Sequence, residues 1–271
     1  DGGASGMTFT PALPLGGLAG WAFLKRTEPA QKAALDRTAE ARRDEAYFRE
    51  KIGSITSAEE LVSDRRLLKV ALGAFGLEAD IQNRAFIRKV LEDGTLKPEA
   101  LSNRLADKQY RAMSAAFGFG DFSVPRTKLS DFADKVLPTY ADRRFEAAVG
   151  AQNNSFRIAL NAERELPALA GRNTSDATKW FTILGNAPLR ELFSTALRLP
   201  SGFGALDLDR QVKLLKERAD TAFGSDRVDQ FSDPAKVDTL IRRYLIQTDL
   251  AGGTATGLKG QVALQLLQTG R

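Results

Sequence analysis

Apolar residues recur along this chain at intervals of three and four, and no strict apolar/polar alternation persists. Leu61, Leu68 and Leu72, with Val62 beside them, form one helical stripe. Thr56 with Glu59, or Ser57 with Glu60, makes a capping box ahead of it. Ile81, Ala85, Val90 and Leu91 form a second stripe, and Gly94 stands where a helix-terminating residue belongs. Pro98 begins a helix through Leu101, Leu105, Met113 and Phe117, closed by Gly118. Upstream, Glu28-Pro29 opens a helix that runs through Leu35, Tyr47, Phe48 and Ile52. Downstream, Ser130 caps a short helix to Leu137, and Pro138 starts a long one through Tyr140, Phe145, Val149, Phe156, Leu160 and Leu166. Asn153-Asn154 weakens its middle; Pro167 and Gly171 end it. Further helices span 175–184, 188–197 and 207–223, and another starts at Pro234 and runs through Tyr244 and Leu245. No Asn-Gly or Asp-Gly hairpin separates two β-rich runs, so the prediction is an all-α fold of about ten or eleven helices.

Two stretches share a succession of residues. Tyr47-Phe48, Leu67-Leu68, Ala71-Leu72 and Phe75-Gly76 are followed by Asp80-Ile81-Gln82. Trp180-Phe181, Leu192-Phe193, Ala196-Leu197 and Phe203-Gly204 are followed by Asp209-Arg210-Gln211. They start about 130 residues apart, near one domain length and too far for a solenoid repeat. The expectation is two pseudo-repeated helical halves, at 7–120 and 128–250, packed together or fused as one domain, with the glycine- and proline-bearing stretch 118–128 as linker. Beyond Leu250, Gly252, Gly253, Gly257 and Gly260 read as a hinge, carrying a short apolar helix from Val262 to Leu267 within 251–271.

Composition removes much chemistry. The chain has 271 residues, no cysteine and no histidine. Disulfides, thiolate catalysis and Cys-based zinc sites are excluded. The commonest general base and transition-metal ligand is missing, and with it any Ser-His-Asp triad. Carboxylates are plentiful, but nothing singles out a pair; the expectation is no enzyme, no cofactor and no metal. A net charge of +5 is a mild excess, which disfavours a dedicated nucleic-acid binder. No run approaches a membrane span, and 14–24 lacks the basic flank of a cleavable signal peptide. Residues 1–6 precede Met7; they are read as left over from expression and set aside.

Three constellations carry candidate chemistry. Four Arg-Arg pairs occur, at 42–43, 65–66, 143–144 and 242–243, and two follow an aspartate directly. Arg65, Arg66, Arg143 and Arg144 are candidate anion contacts, because guanidinium grips phosphate and carboxylate bidentately. The competing reading is arginines that bridge helices to nearby carboxylates. Gly118-Phe119-Gly120 and Gly202-Phe203-Gly204 lack a third glycine and a preceding strand, so they read as helix stops with a core phenylalanine. Leu18, Trp21 and Phe23, with Val262, Leu264 and Leu267 at the other end, are candidate protein contacts if these arms stay off the body.

The residues Thr8-Phe9-Thr10-Pro11, Gly17 to Trp21, Asp64 to Leu68, Ala71 to Leu77, Asn83 to Ile87 and Asn103 to Asp107 resemble the bacterial DUF1217 family, found mostly in alphaproteobacteria. The resemblance covers nearly the whole chain from Met7. It implies a multihelical fold and a setting among flagellar genes, and it carries over no catalytic or binding residue. The functional expectation is therefore a non-enzymatic helical protein, cytoplasmic or flagellum-associated. It would work through protein partners, flagellar components or a second copy of itself among them. The alternative is an anion or nucleic-acid binder that uses the Arg pairs.

Overall fold

In a computed structural model of the chain, the backbone is described for residues 9–268 and the side chains as far as residue 252. Among the described residues there are thirteen α-helices and no strand. The first eight are α1 (Gly17–Asp36), α2 (Ala39–Lys51), α3 (Ala58–Ser63), α4 (Arg65–Phe75), α5 (Arg84–Asp93), α6 (Leu101–Arg104), α7 (Gln109–Phe117) and α8 (Phe132–Gly150). They are followed by α9 (Asn154–Ala170), α10 (Asp176–Leu184), α11 (Ala187–Ala196), α12 (Leu208–Phe223) and α13 (Pro234–Gln268). The fold class is the expected one, and the count exceeds expectation only by the short α3 and α6.

Helix α4 shows how the pattern becomes structure. Asp64 caps it, its carboxylate accepting from the backbone N–H of Arg66 at 2.9 Å and of Leu67 at 3.0 Å. Leu67, Leu68, Val70, Ala71, Leu72 and Ala74 are buried. Gly76 stops it with φ +70°, and the Leu77 N–H reaches back to the Leu72 carbonyl at 2.9 Å, a Schellman closure. Ser57 caps α3 by accepting from Glu60 N–H, and the Glu60 carboxylate accepts from Thr56 N–H at 2.6 Å. The expected capping box is there, displaced by one residue at its return bond.

The chain divides into two units. Unit 1 is Leu24–Gln152 with the described residues before Leu13; unit 2 is Asn153 onward with Leu13–Phe23. The break therefore falls between α8 and α9, not in the expected linker at 118–128. That stretch is tied into unit 1. Asp121 accepts from Thr95 Oγ1 at 2.8 Å and from the Leu96 N–H at 3.1 Å. Thr127 Oγ1 donates to the Ile55 carbonyl at 2.7 Å, and Lys128 Nζ to that of Gly53 at 2.9 Å. At the true break, the Asn153 side chain caps α9 by accepting from Phe156 N–H at 3.1 Å.

Two prolines expected to start helices lie inside them: Pro29 in α1 and Pro138 in α8. An interior proline costs about 3 kcal/mol. Burial on both sides offsets it: Leu24 and Leu35 flank Pro29; Val136, Tyr140 and Phe145 flank Pro138. The arm around Trp21 is thus the first part of α1. Thr38, not Pro29, opens the next helix, its Oγ1 accepting from Ala41 N–H. Helix α13 runs unbroken through Gly252, Gly253, Gly257 and Gly260, where a hinge was expected.

Within unit 1, α2, α3, α7 and α8 pack on α4, and Phe117 stands among Phe75, Phe119 and Phe132. Within unit 2, α9, α10 and α13 pack on α11. Trp180, Phe193, Phe231 and Phe223 make a chain of edge-to-face contacts at 5.4–5.6 Å. The recurring stretches do not begin on matching helices, since Tyr47 lies on α2 and Trp180 on α10, but two sets of three helices pack alike. α3 touches both α4 and α5, as α10 touches both α11 and α12, and each set has a 3-10 turn before its last helix. Phe119 and Phe203 pack inward, as expected for helix stops.

Candidate functional site

The polar face of α4 carries Arg66, Lys69 and Gly73 at helical spacing, and α8 carries Tyr140, Arg143, Arg144 and Ala147 in the same way. Gly73 matters because a Cβ there would stand 2.7 Å from the Tyr140 ring. Its absence lets α8 lie against α4. Between these faces, the end of α1 and the start of α2 is a cleft of about 720 Å³. Arg37, Arg43, Lys69, Arg143 and Arg144 line it, opposed by Glu40 and Glu78. Its apolar wall is Phe9, Ala34, Leu35 and Ala147. A smaller cleft of about 360 Å³ shares Lys69 and Glu78 and adds Asp44, Arg65, Arg66, Leu72 and Ile81. The structure thus brings Arg65, Arg66, Arg143 and Arg144, two separate sequence candidates, onto adjoining clefts of one unit.

A polar network anchored on buried Asp44 and Tyr140 forms the floor. Asp44, 7% exposed, accepts from Lys69 Nζ at 2.8 Å and from Tyr140 Oη at 3.2 Å. Lys69 also donates to Glu40 at 2.6 Å. Burial alone would lower the Lys69 pKa; hydrogen bonds to Asp44 and Glu40 outweigh it and hold the ammonium above its ordinary range. Burial pushes the Tyr140 phenol up to about 12, with Lys69 pulling against it and Asp44 adding to it. Both groups hold their protons at neutral pH, so neither is poised to act as a base.

The aspartates that precede two of the pairs have other partners as well. Asp64 is engaged by the α4 cap and by Tyr47 Oη at 2.6 Å, and Asp142 by Lys32 at 3.0 Å. Arg66 donates to the Arg43 carbonyl at 3.2 Å and lies over the Tyr47 ring at 4.0 Å. Arg144 reaches Asp36 at 2.7 Å and lies over Tyr140 at 5.4 Å. Arg37 and Arg43 have no ion pair among the described residues. The fourth pair, on α13, lies in unit 2: Arg242 bonds Asp238 at 2.7 Å, and Arg243 lies over Phe223. Among the described residues, no group of three or more Asp or Glu is arranged to hold a metal ion.

The candidate protein contacts fare otherwise. Trp21 is 5% exposed and packs on Phe156 at 5.9 Å, so it forms no exposed strip. Leu18 and Phe23 are half-buried. Val262, Leu264 and Leu267 fall on α13, and their side chains lie outside the described residues. Sequence reasoning missed Arg37, Lys69 and Tyr140 as parts of the cleft. The available signal was spacing: Lys69 follows Arg65 by four residues, and Tyr140 precedes Arg143 by three.

The family model for proteins of unknown function, DUF1217, matches residues 74–237. This is narrower than the span from Met7 that the resemblance covered; Arg143 and Arg144 lie inside the match, and Arg65, Arg66 and Lys69 precede it. A protein of Agrobacterium tumefaciens, solved by X-ray crystallography in a structural genomics programme, superposes with a TM-score of 0.72 at 25% identity. The similarity covers 89% of this chain and 99% of that one. A comparison with curated proteins finds no match. No helix among the described residues is long and apolar enough to cross a membrane. With a family match over more than half its length and the helical fold of an alphaproteobacterial relative, the chain belongs to the DUF1217 family of proteins of unknown function.

Proposed function

We propose that this protein is a non-catalytic binding protein that grips an anionic group in the arginine-lined cleft of unit 1. The observation that carries the reading is the convergence of Arg43, Arg143 and Arg144 from two helices onto one cleft, beside Arg37. Proton-retaining Lys69 and Tyr140 support binding over proton transfer. The family resemblance supports a place at the bacterial flagellum, in the cytoplasm or on the flagellar structure. The test is anion binding by the full chain at low and high salt. Affinity should fall as salt rises and fall again in Arg43→Ala. Salt-independent binding, or none, removes the reading.

A second reading, contact with a protein partner, has its own observation. Leu96, Phe122, Val124 and Leu129 are large, apolar and exposed, at 44–70% of their full surface. Asp121 holds the Leu96 backbone beside this loop. A flagellar component docking there would be lost from co-purification with a Leu96→Ser, Phe122→Ser double variant, and motility would fall with it. Unchanged motility in a deletion strain, with no flagellar protein recovered, sinks this reading.

A further inference from the structure

Helix α13 carries two apolar patterns. Val237, Leu240, Ile241, Tyr244 and Leu245 are buried where the helix packs on α9 and α11. Ile246 and Leu250, one turn apart, are instead 41% and 56% exposed. Along the helix, Gly253, Gly257, Gly260, Leu264 and Leu267 continue the register of these two. From Ile246 to Leu267 the steps alternate four and three without a break, which is the 3.5-residue period of a coiled-coil seam. The register position on one flank holds Gln247, Thr254, Gln261 and Gln268, and that on the other holds a single charge, Asp249. Two such helices can therefore run side by side without like-charge repulsion.

Glycine is the poorest helix former after proline, yet α13 has Gly252, Gly253, Gly257 and Gly260 in its interior. A helix so composed is held by packing rather than by propensity. Glycine on a seam lets a second backbone approach closely. The order of residues says which backbone. Read from either end, the seam gives two large aliphatic residues, three glycines and two large aliphatic residues. A two-fold axis at Gly257 sets glycine on glycine at the centre, and Ile246 and Leu250 of one copy opposite positions 267 and 264 of the other. That is the self-complementary patch an isologous dimer requires.

We infer that α13 is a dimerisation helix, pairing antiparallel with α13 of a second copy of this chain along the seam from Ile246 to Leu267.

Sedimentation equilibrium of the full chain tests it. The protein should form a dimer at micromolar concentration. Leu250→Lys should raise the dimer dissociation constant about tenfold or more, by placing like charges on the seam. Leu250 is exposed, so this variant keeps its fold, which circular dichroism checks. Gly257→Leu favours the helix itself yet should also weaken the dimer, because it wedges the two backbones apart. Ala255→Lys, at the register position opposite the seam, should leave the dimer unchanged. The chain has no cysteine, so introduced ones report the orientation. Leu250→Cys and Leu264→Cys chains should cross-link to each other on mild oxidation, and Leu250→Cys alone should not. Cross-linking of Leu250→Cys with itself would mean a parallel pair and overturn the two-fold seam. A chain that stays monomeric, or a dimer indifferent to Leu250→Lys and Gly257→Leu, overturns the inference as a whole.

Discussion

Helices α4 and α11 bury similar stripes and present different outer faces. Aligned by Ala71-Leu72 and Ala196-Leu197, α4 and α11 bury the same positions: Leu67 and Leu68 in one, Leu192 and Phe193 in the other. Their outward positions differ. Arg66, Lys69 and Gly73 of α4 stand in register with Glu191 and Ser194 of α11 and with Arg198 just past its end. In unit 1 the missing side chain at Gly73 admits Tyr140 of α8, and Lys69 with the arginines lines a cleft. In unit 2 the register carries no lysine, Arg198 takes φ +52°, and its guanidinium bonds Gln247 at 3.0 Å. A shared core thus constrains the buried stripe and leaves the polar face free to diverge. Function is to be sought where the stripes agree and the faces do not.

The comparison breaks first if the cores are unequal. Phe117→Ala in unit 1 and Phe193→Ala in unit 2 each remove a fully buried ring from an aromatic cluster. Each should cost about 3–5 kcal/mol in denaturant unfolding. A cost below about 1 kcal/mol for either would mean that the two stripes are not packed alike.

Next in size is the glycine that separates the faces. Gly73→Leu forces a side chain into the Tyr140 ring and should destabilise by about 1–3 kcal/mol, the usual cost of overpacking. It should also narrow the cleft and weaken anion binding more than stability alone accounts for. Lys69→Met should cost a comparable amount, about 1–3 kcal/mol, because it leaves the buried Asp44 with Tyr140 as its remaining hydrogen-bond partner here.

Alkaline pH sharpens the contrast. Tyr140 and Tyr244 are both pushed up to about 12, chiefly by burial. The native state therefore keeps each phenolic proton to higher pH than the unfolded chain, whose tyrosines lose theirs near pH 10. Below that value the stabilisation is complete; between about 10 and 12 the unfolded state binds fewer protons and stability falls. Raised Lys69 acts in the same direction, from the ordinary lysine range upward. Tyr140→Phe should flatten part of this decline and leave the share due to Tyr244. An unchanged profile in Tyr140→Phe would show that burial does not hold the Tyr140 proton.

The helices, most of their stops and the core phenylalanines were legible because each depends on local spacing and local caps. The unit boundary was not. It depends on which partners the 118–128 stretch finds, and Asp121, Thr127 and Lys128 find theirs in residues 25 to 75 positions away. Pro29 and Pro138 misled because burial on both sides outweighed the local penalty. The Arg pairs were legible as candidates. Their convergence was not, since it depends on Gly73 admitting α8. Nor could the sequence say that Asp64 and Asp142 are engaged elsewhere.

The smallest effect belongs to the pair that stayed ordinary. Arg242 is exposed and bonded to Asp238 one turn away on α13. An exposed i,i+4 ion pair of this kind contributes about 0.3–0.5 kcal/mol, screened further by salt. Arg242→Ala should therefore shift unfolding by no more than about 0.5 kcal/mol and leave anion affinity untouched. Arg43→Ala carries the same substitution at a cleft wall, and it should act mainly on affinity. If the two variants behave alike in both assays, the arginine pairs are equivalent surface charges, and the distinction between the units reduces to their cores.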